Sequence, residues 1–124
     1  MKLPFTKMHG AGNDFVVVDC REKDQADWPE LSRRLAHRRL GVGCDQVILL
    51  YPSTEADFRM DIYNADGSRV EMCGNGIRCF AKYLRDRGIF TSEEIRVETL
   101  AGVIIPRFSG LVRPSSLSSS DAGC

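Results

Sequence analysis

In Asn64-Ala65-Asp66-Gly67-Ser68-Arg69-Val70-Glu71-Met72-Cys73-Gly74-Asn75-Gly76-Ile77-Arg78-Cys79-Phe80-Ala81-Lys82-Tyr83-Leu84, the pattern changes period around one cysteine. Asn64 to Ser68 are turn formers, and 69–72 suit a short strand. From Ile77 the apolar positions Ile77, Phe80, Ala81 and Leu84 recur at helical spacing, with Gly88 as the stop. Cys79 and Tyr83 broaden the apolar surface, so the helix is expected to be enclosed on several sides. A strand, a cysteine followed by a glycine turn and a buried helix together predict an α/β (α+β) unit.

The segments on either side agree. Phe15-Val16-Val17-Val18 and Val47-Ile48-Leu49-Leu50 read as strands, while Asp57 to Tyr63 alternates with period two, predicting one buried face. Asp27 with Glu30 forms a capping-box pattern, with Pro29 tolerated in the first turn. That predicts a second helix with Leu31, Leu35 and Ala36 on one face, ended by Gly41 and Gly43. Arg33, Arg34, Arg38 and Arg39 read as its solvated face rather than a nucleic-acid patch. Two more strands fit 95–99 and 103–105. Residues 1–106 therefore form one domain, and 107–124, with six Ser and no sustained period, read as a disordered tail.

Composition narrows the function. Among 124 residues, 17 Lys+Arg balance 17 Asp+Glu, which removes the electrostatic case for nucleic acid or an anionic membrane. Apolar runs are too short for a membrane helix, and the start lacks a signal-peptide core. Five cysteines (Cys20, Cys44, Cys73, Cys79 and Cys124) without a C-x-x-C pair, and only two His, suggest neither a zinc site nor a disulfide framework. The expectation is a cytoplasmic protein with reduced, mostly buried thiols and no metal.

Cys73 is the exception. A thiol between a strand and a helix faces the positive end of the helix dipole and its unpaired N–H groups, which favour thiolate. The same N–H groups can hold a carboxylate or a phosphate, and Gly74 and Gly76 let a ligand approach the backbone. His9-Gly10-Ala11-Gly12-Asn13-Asp14 is a second Gly/Asn-rich turn suited to a small polar ligand. It is no phosphate loop, because it precedes a strand and no G-K-[ST] follows. A thiol hydrolase with His9 as base has no signature to support it.

Four motifs in order, His9 to Phe15, Gly41-Val42-Gly43-Cys44-Asp45-Gln46, Asn64 to Ser68, and Cys73-Gly74-Asn75-Gly76-Ile77-Arg78-Cys79, resemble the N-terminal half of the diaminopimelate epimerases. The resemblance covers residues 5 to about 105. It implies a mixed or antiparallel sheet wrapped around a central helix. It also implies cofactor-free interconversion of LL- and meso-diaminopimelate by two thiols on opposite faces of the α-carbon, on the route to lysine and peptidoglycan. By the same resemblance Cys73 is one acid/base thiol, and Asn13, Gln46, Asn64, Gly74 and Asn75 bind the substrate. The helix starting near Gly76 would point its N-terminus at the α-carboxylate.

The family's second cysteine lies in a second domain, and nothing after Pro106 resembles it. Cys124 is not read as that thiol. The chain is therefore expected to be a fragment with one of the two catalytic cysteines, inactive alone. The alternatives are a homodimer opposing two copies of Cys73, or a non-catalytic domain that binds a small ligand or exposes an apolar face to a partner.

Overall fold

The structure is a computed structural model that describes residues 3–10, 12–24 and 27–106. Ala11, the Ser-rich tail and Cys124 lie outside the described residues. The elements run β1 (Thr6–His9), β2 (Asp14–Asp19), α1 (Trp28–Ala36), β3 (Gln46–Tyr51), β4 (Phe58–Asn64), β5 (Arg69–Val70), α2 (Gly74–Asp86), β6 (Val97–Thr99) and β7 (Gly102–Ile104). The strands form one mixed sheet ordered β1-β2-β3-β4-β6-β7, with β5 paired to β4. The β2–β3 and β4–β6 pairs are parallel, and the others are antiparallel.

The unbroken apolar runs of β2 and β3 exist because both faces of the sheet are covered. Successive side chains point to opposite faces. Phe15, Val17, Ile48 and Leu50 pack with α2, whereas Val16, Val18, Val47 and Leu49 pack with Trp28 and Ala36 of α1. Nine of the 13 residues of α2 are buried. The apolar cluster around it extends from Met8 on β1 to Ile104 on β7. The sheet thus wraps the helix from edge to edge and leaves Lys82, Arg85 and Asp86 in solvent.

The structure corrects several sequence expectations. The first strand is Thr6–His9, in a segment read as preceding any strand. β4 is buried on both faces at its centre, because Asp61 turns away from Met60 and Ile62 yet is only 6% exposed. Arg59 and Arg69 neutralise it from 3.2 and 2.8 Å, which a period-two reading has no means of seeing. Only Arg69–Val70 of the strand expected over 69–72 forms.

Asp27 does cap α1, accepting the Glu30 N–H at 3.2 Å. The helix nevertheless ends at Ala36, before the glycines expected to end it. The chain folds back so that the Val42 and Gly43 N–H groups donate to Leu35 O and Cys44 N–H to Ala36 O, satisfying carbonyls that the helix leaves open. A Cβ on Gly41 would lie 2.0 Å from Arg34 O, so only glycine fits this return. Arg38 and Arg39 consequently lie beyond the helix rather than on its face. Among the described residues, no helix is long and apolar enough to cross a membrane.

Candidate functional site

One end of the central strands gathers the residues that the sequence singled out. Gln46 opens β3 and Asn64 closes β4, and the ladder sets them directly opposite each other. Phe15 pairs with Gln46, which places Asn13, two residues earlier, just past the same strand end. The start of α2 reaches the same place. A Cβ on Gly76 would touch Ile62 and Ile48 at 3.4 and 3.6 Å, and Asn75 Nδ2 donates to Asn13 Oδ1 at 2.9 Å.

Two amide pairs result, Asn13–Asn75 and Gln46–Asn64. In the second, Gln46 Nε2 donates to Asn64 Oδ1 at 3.0 Å, and Asn64 Nδ2 donates in turn to Ser68 Oγ at 3.1 Å. Gln46 Oε1 is buried and accepts no hydrogen bond from the described residues. A buried acceptor without a donor costs about 1–3 kcal/mol, so this oxygen is suited to a ligand's donor.

Cys73 is the N-cap residue of α2, with extended backbone (φ −139°, ψ 121°) and no side-chain capping bond. The helix therefore starts at Gly74, two residues earlier than expected, and its first-turn N–H groups point beyond the helix end. Cys73 has no exposed surface.

The other described cysteines are free buried thiols. Burial pushes Cys20 up to about 12 and Cys44 up to about 11, and raises Cys79 as well. They are neutral packing groups at ordinary pH. No group of three His, Cys, Asp or Glu that could hold a metal ion occurs among the described residues.

A layer of charge that the sequence reading missed braces the site. Arg38 grips both oxygens of Asp14, at 2.7 and 3.0 Å, and Asp45 Oδ1 at 3.1 Å. Asp14 and Asp45 also lock each other's backbone. The Asp14 N–H donates to Asp45 Oδ2 at 3.0 Å, and the Asp45 N–H donates to Asp14 Oδ1 at 2.9 Å. Arg38 holds the Asp14 carboxyl well below the usual carboxylate range; burial opposes it as the next-largest effect, and Lys7 adds a smaller lowering. Arg38, expected on a solvated helix face, is instead the clamp of the β1–β2 and α1–β3 connections. The available signal was an aspartate at the start of each apolar run, Asp14 opening β2 and Asp45 immediately preceding β3.

An open hollow of about 440 Å³ lies against this bracing, lined by His9, Gly10, Gly12, Asn13, Arg38 and Asp45 among others. A larger hollow of about 490 Å³ lies near the other end of β2, beside Cys20, Trp28 and Tyr83, and includes none of the predicted site residues. Size alone would select this hollow, whereas the residues singled out from the sequence gather at the opposite strand ends.

Residues 5–109 match the family model described as diaminopimelate epimerase. The chain belongs to the diaminopimelate epimerase family. It is 55% identical over 107 residues to the diaminopimelate epimerase of Nitrosospira multiformis, covering 86% of this chain and 39% of that protein. With the Moorella thermoacetica enzyme it shares 58% over 104 residues, covering 83% of this chain and 37% of the relative. With the Azoarcus sp. enzyme it shares 50% over 125 residues, covering 99% of this chain and 44% of the relative. The chain thus spans less than half the length of these family members.

The fold recurs in solved structures of low identity. A methylitaconate-delta-isomerase superposes with a TM-score of 0.67 at 14% identity, covering 86% of this chain and 35% of that one. A hydroxyproline epimerase from Agrobacterium vitis gives 0.64 at 21%, covering 83% and 36%. The α/β architecture of the epimerase family domain is common to them.

Proposed function

We propose that this chain supplies one side of a cofactor-free site that interconverts LL- and meso-diaminopimelate, a step on the route to lysine. The observation that carries the reading is the meeting of both amide pairs at the N-terminus of α2, where Cys73 is the cap. Inverting a carbon that bears hydrogen needs a base on one face and an acid on the other, exchanging roles with direction. Reduced Cys73 is one of these groups. The positive end of α2 lowers the cost of its thiolate and stabilises the charge that develops on the α-carboxylate side as the proton leaves. Neutral amides on Asn13, Gln46, Asn64 and Asn75, with the Gly74 N–H, suit a zwitterionic ligand that carries two carboxylates and two ammonium groups.

The second acid comes from outside the described thiols. Cys20, Cys44 and Cys79 are buried and kept neutral, so none of them exchanges protons readily at neutral pH. With one of two cooperating groups, the chain alone is expected to turn over little or nothing.

The test is titration of the reduced chain with LL-diaminopimelate in D2O, followed by NMR. The expected result is saturable shifts at Gly74, Asn75 and the Asn13, Gln46 and Asn64 side chains, with any α-deuterium incorporation lost in Cys73→Ala. Shifts confined to other surfaces, or α-exchange that survives Cys73→Ala, would overturn the assignment.

A further inference from the structure

The amides of Asn13 and Asn75 form the middle of a longer chain whose two ends are charged. Asn13 Nδ2 points at Asp45 Oδ2 across 3.4 Å, and Asn13 Oδ1 accepts from Asn75 Nδ2 at 2.9 Å. Asn75 Oδ1 in turn accepts from the Arg78 guanidinium. The order is therefore carboxylate, amide, amide, guanidinium, with every N–H directed towards Asp45 and every carbonyl towards Arg78. An ionised carboxylate only accepts and a guanidinium only donates, so the end groups dictate which way each amide faces. Turning either amide over would set oxygen against oxygen or N–H against N–H. The charges also polarise both amides in the same sense.

We infer that Asp45 and Arg78 are positioning residues that fix the orientation of the Asn13 and Asn75 amides at the ligand-facing end of α2. This inference rests on the reading of those two amides as substrate-binding groups. Asp45 borders the hollow, but its carboxylate is taken up within the protein: its Oδ2 takes Asn13 and the Asp14 N–H, and its Oδ1 takes Arg38. Every lone-pair face of this carboxylate that the argument uses meets a donor. An asparagine there has no good orientation. Its NH2 must face either Arg38 or the donors Asn13 and Asp14 N–H, so one donor meets another. Removing the demand of Arg38 frees the amide to turn its oxygen back to Asn13. Asp45→Asn should therefore be damaging alone and partly repaired by Arg38→Met, a rescue that loss of a purely structural contact would not show.

The experiment uses the reduced full chain and two readouts. The first needs no ligand: the side-chain NH2 resonances of Asn75, two links away from Asp45. In Asp45→Asn we expect these to shift and to exchange with water about tenfold faster, as expected when a hydrogen bond to a charged group is lost upstream. In Asp45→Asn combined with Arg38→Met they should return towards the wild-type position. The second readout is affinity for LL-diaminopimelate, expected to fall about tenfold in Asp45→Asn, to recover in the double variant, and to be insensitive to Asp45→Asn once Asn13→Ala is present. Asn75 resonances unmoved in Asp45→Asn, or no recovery with Arg38→Met, would overturn the inference. So would an undiminished loss of affinity in the Asn13→Ala background. Should the wild-type chain bind no diaminopimelate while the resonances behave as described, the substrate reading fails and the orienting chain stands.

Discussion

Gln46 and Asn64 face each other across the β3–β4 ladder, joined by a 3.0 Å bond from Gln46 Nε2 to Asn64 Oδ1, while Gln46 Oε1 is buried with no donor among the described residues. A fold under selection for stability alone would satisfy or remove that oxygen, since leaving it bare costs about 1–3 kcal/mol. Gln46→Met keeps the length of the side chain and removes both polar ends. It deletes one orphaned acceptor and creates another at Asn64, which is half-buried and within reach of water. The expected change in unfolding free energy is therefore below about 1 kcal/mol, while affinity for diaminopimelate falls severalfold. Urea denaturation and calorimetric titration of the same variant check the two halves. Destabilisation well beyond that bound would show that Gln46 serves the fold rather than a ligand.

The turn that delivers Asn64 is anchored from the opposite face. Gly67 has φ +90°, and a Cβ there would meet Pro29 O at 2.6 Å and the Arg33 side chain at 3.0 Å. Gly67→Ala combines a left-handed backbone with backbone overlap against α1. Together these should cost about 3 kcal/mol in urea unfolding, far more than an exposed-turn substitution. Because the Asn64 N–H donates to Ser68 O and the Gly67 N–H to Asn64 O, the damage should also reach Asn64. Its side-chain resonances should move even under conditions in which the variant remains folded.

Acid sensitivity should map to Asp14. Arg38 first, then Lys7, depress its carboxyl in the folded chain, whereas the unfolded chain titrates near the ordinary value of about 3.9. The lowered value means that the unfolded state binds the proton first as pH falls. The stabilisation is thus fully present above about pH 5 and is lost progressively from about pH 4 downwards. Urea midpoints for wild type and Asp14→Asn should differ by a constant amount from pH 5 to 8, then converge as the pH drops through 4 to 2. A gap that stays constant into acid would show that Arg38 does not bind this carboxylate in solution. High salt should narrow the gap, because the Arg38 side chain is 56% exposed.

What the sequence made visible follows from how local each signal is. The α2 periodicity, the Asp27 cap and the apolar runs at β2 and β3 are written in neighbouring residues, and each appears within a residue or two of its expected place. Thr6–His9 carries no such pattern, because its only sheet partner is β2 and its burial is partial, so it becomes a strand through pairing alone. Asp61 was misjudged for a related reason. Its burial depends on Arg59 and on Arg69, which comes from the next strand and so leaves no trace in the alternation of β4. At the site, Asn13, Gln46, Asn64, Gly74, Asn75 and Cys73 were picked out by motif. The Arg38–Asp14–Asp45 clamp was not, since it joins three separate segments and is defined only by their convergence.

The cysteines give the remaining prediction. Cys20, Cys44 and Cys79 are each no more than 5% exposed, and their thiols are pushed upwards first of all by burial. For Cys20, raised to about 12, the thiolate fraction at pH 8 is about one in ten thousand, so alkylation must wait for the chain to open. In the reduced native chain, iodoacetamide at pH 8 should label these three positions only at the rate of unfolding, and all three promptly in urea. Cys73 is equally buried, but its sulfur stands at the N-terminus of α2, where the dipole favours thiolate. Peptide mapping should therefore show Cys73 modified ahead of the other three, with diaminopimelate slowing that one modification and leaving the others unchanged. Equal rates at Cys73 and Cys20 would mean that the helix terminus does not activate its sulfur. The raised thiols also set a sign at the alkaline end. Above about pH 9 the unfolded state loses protons that the folded state retains, so stability should decline as pH rises from 9 towards 11, and Cys20→Ala should flatten that decline.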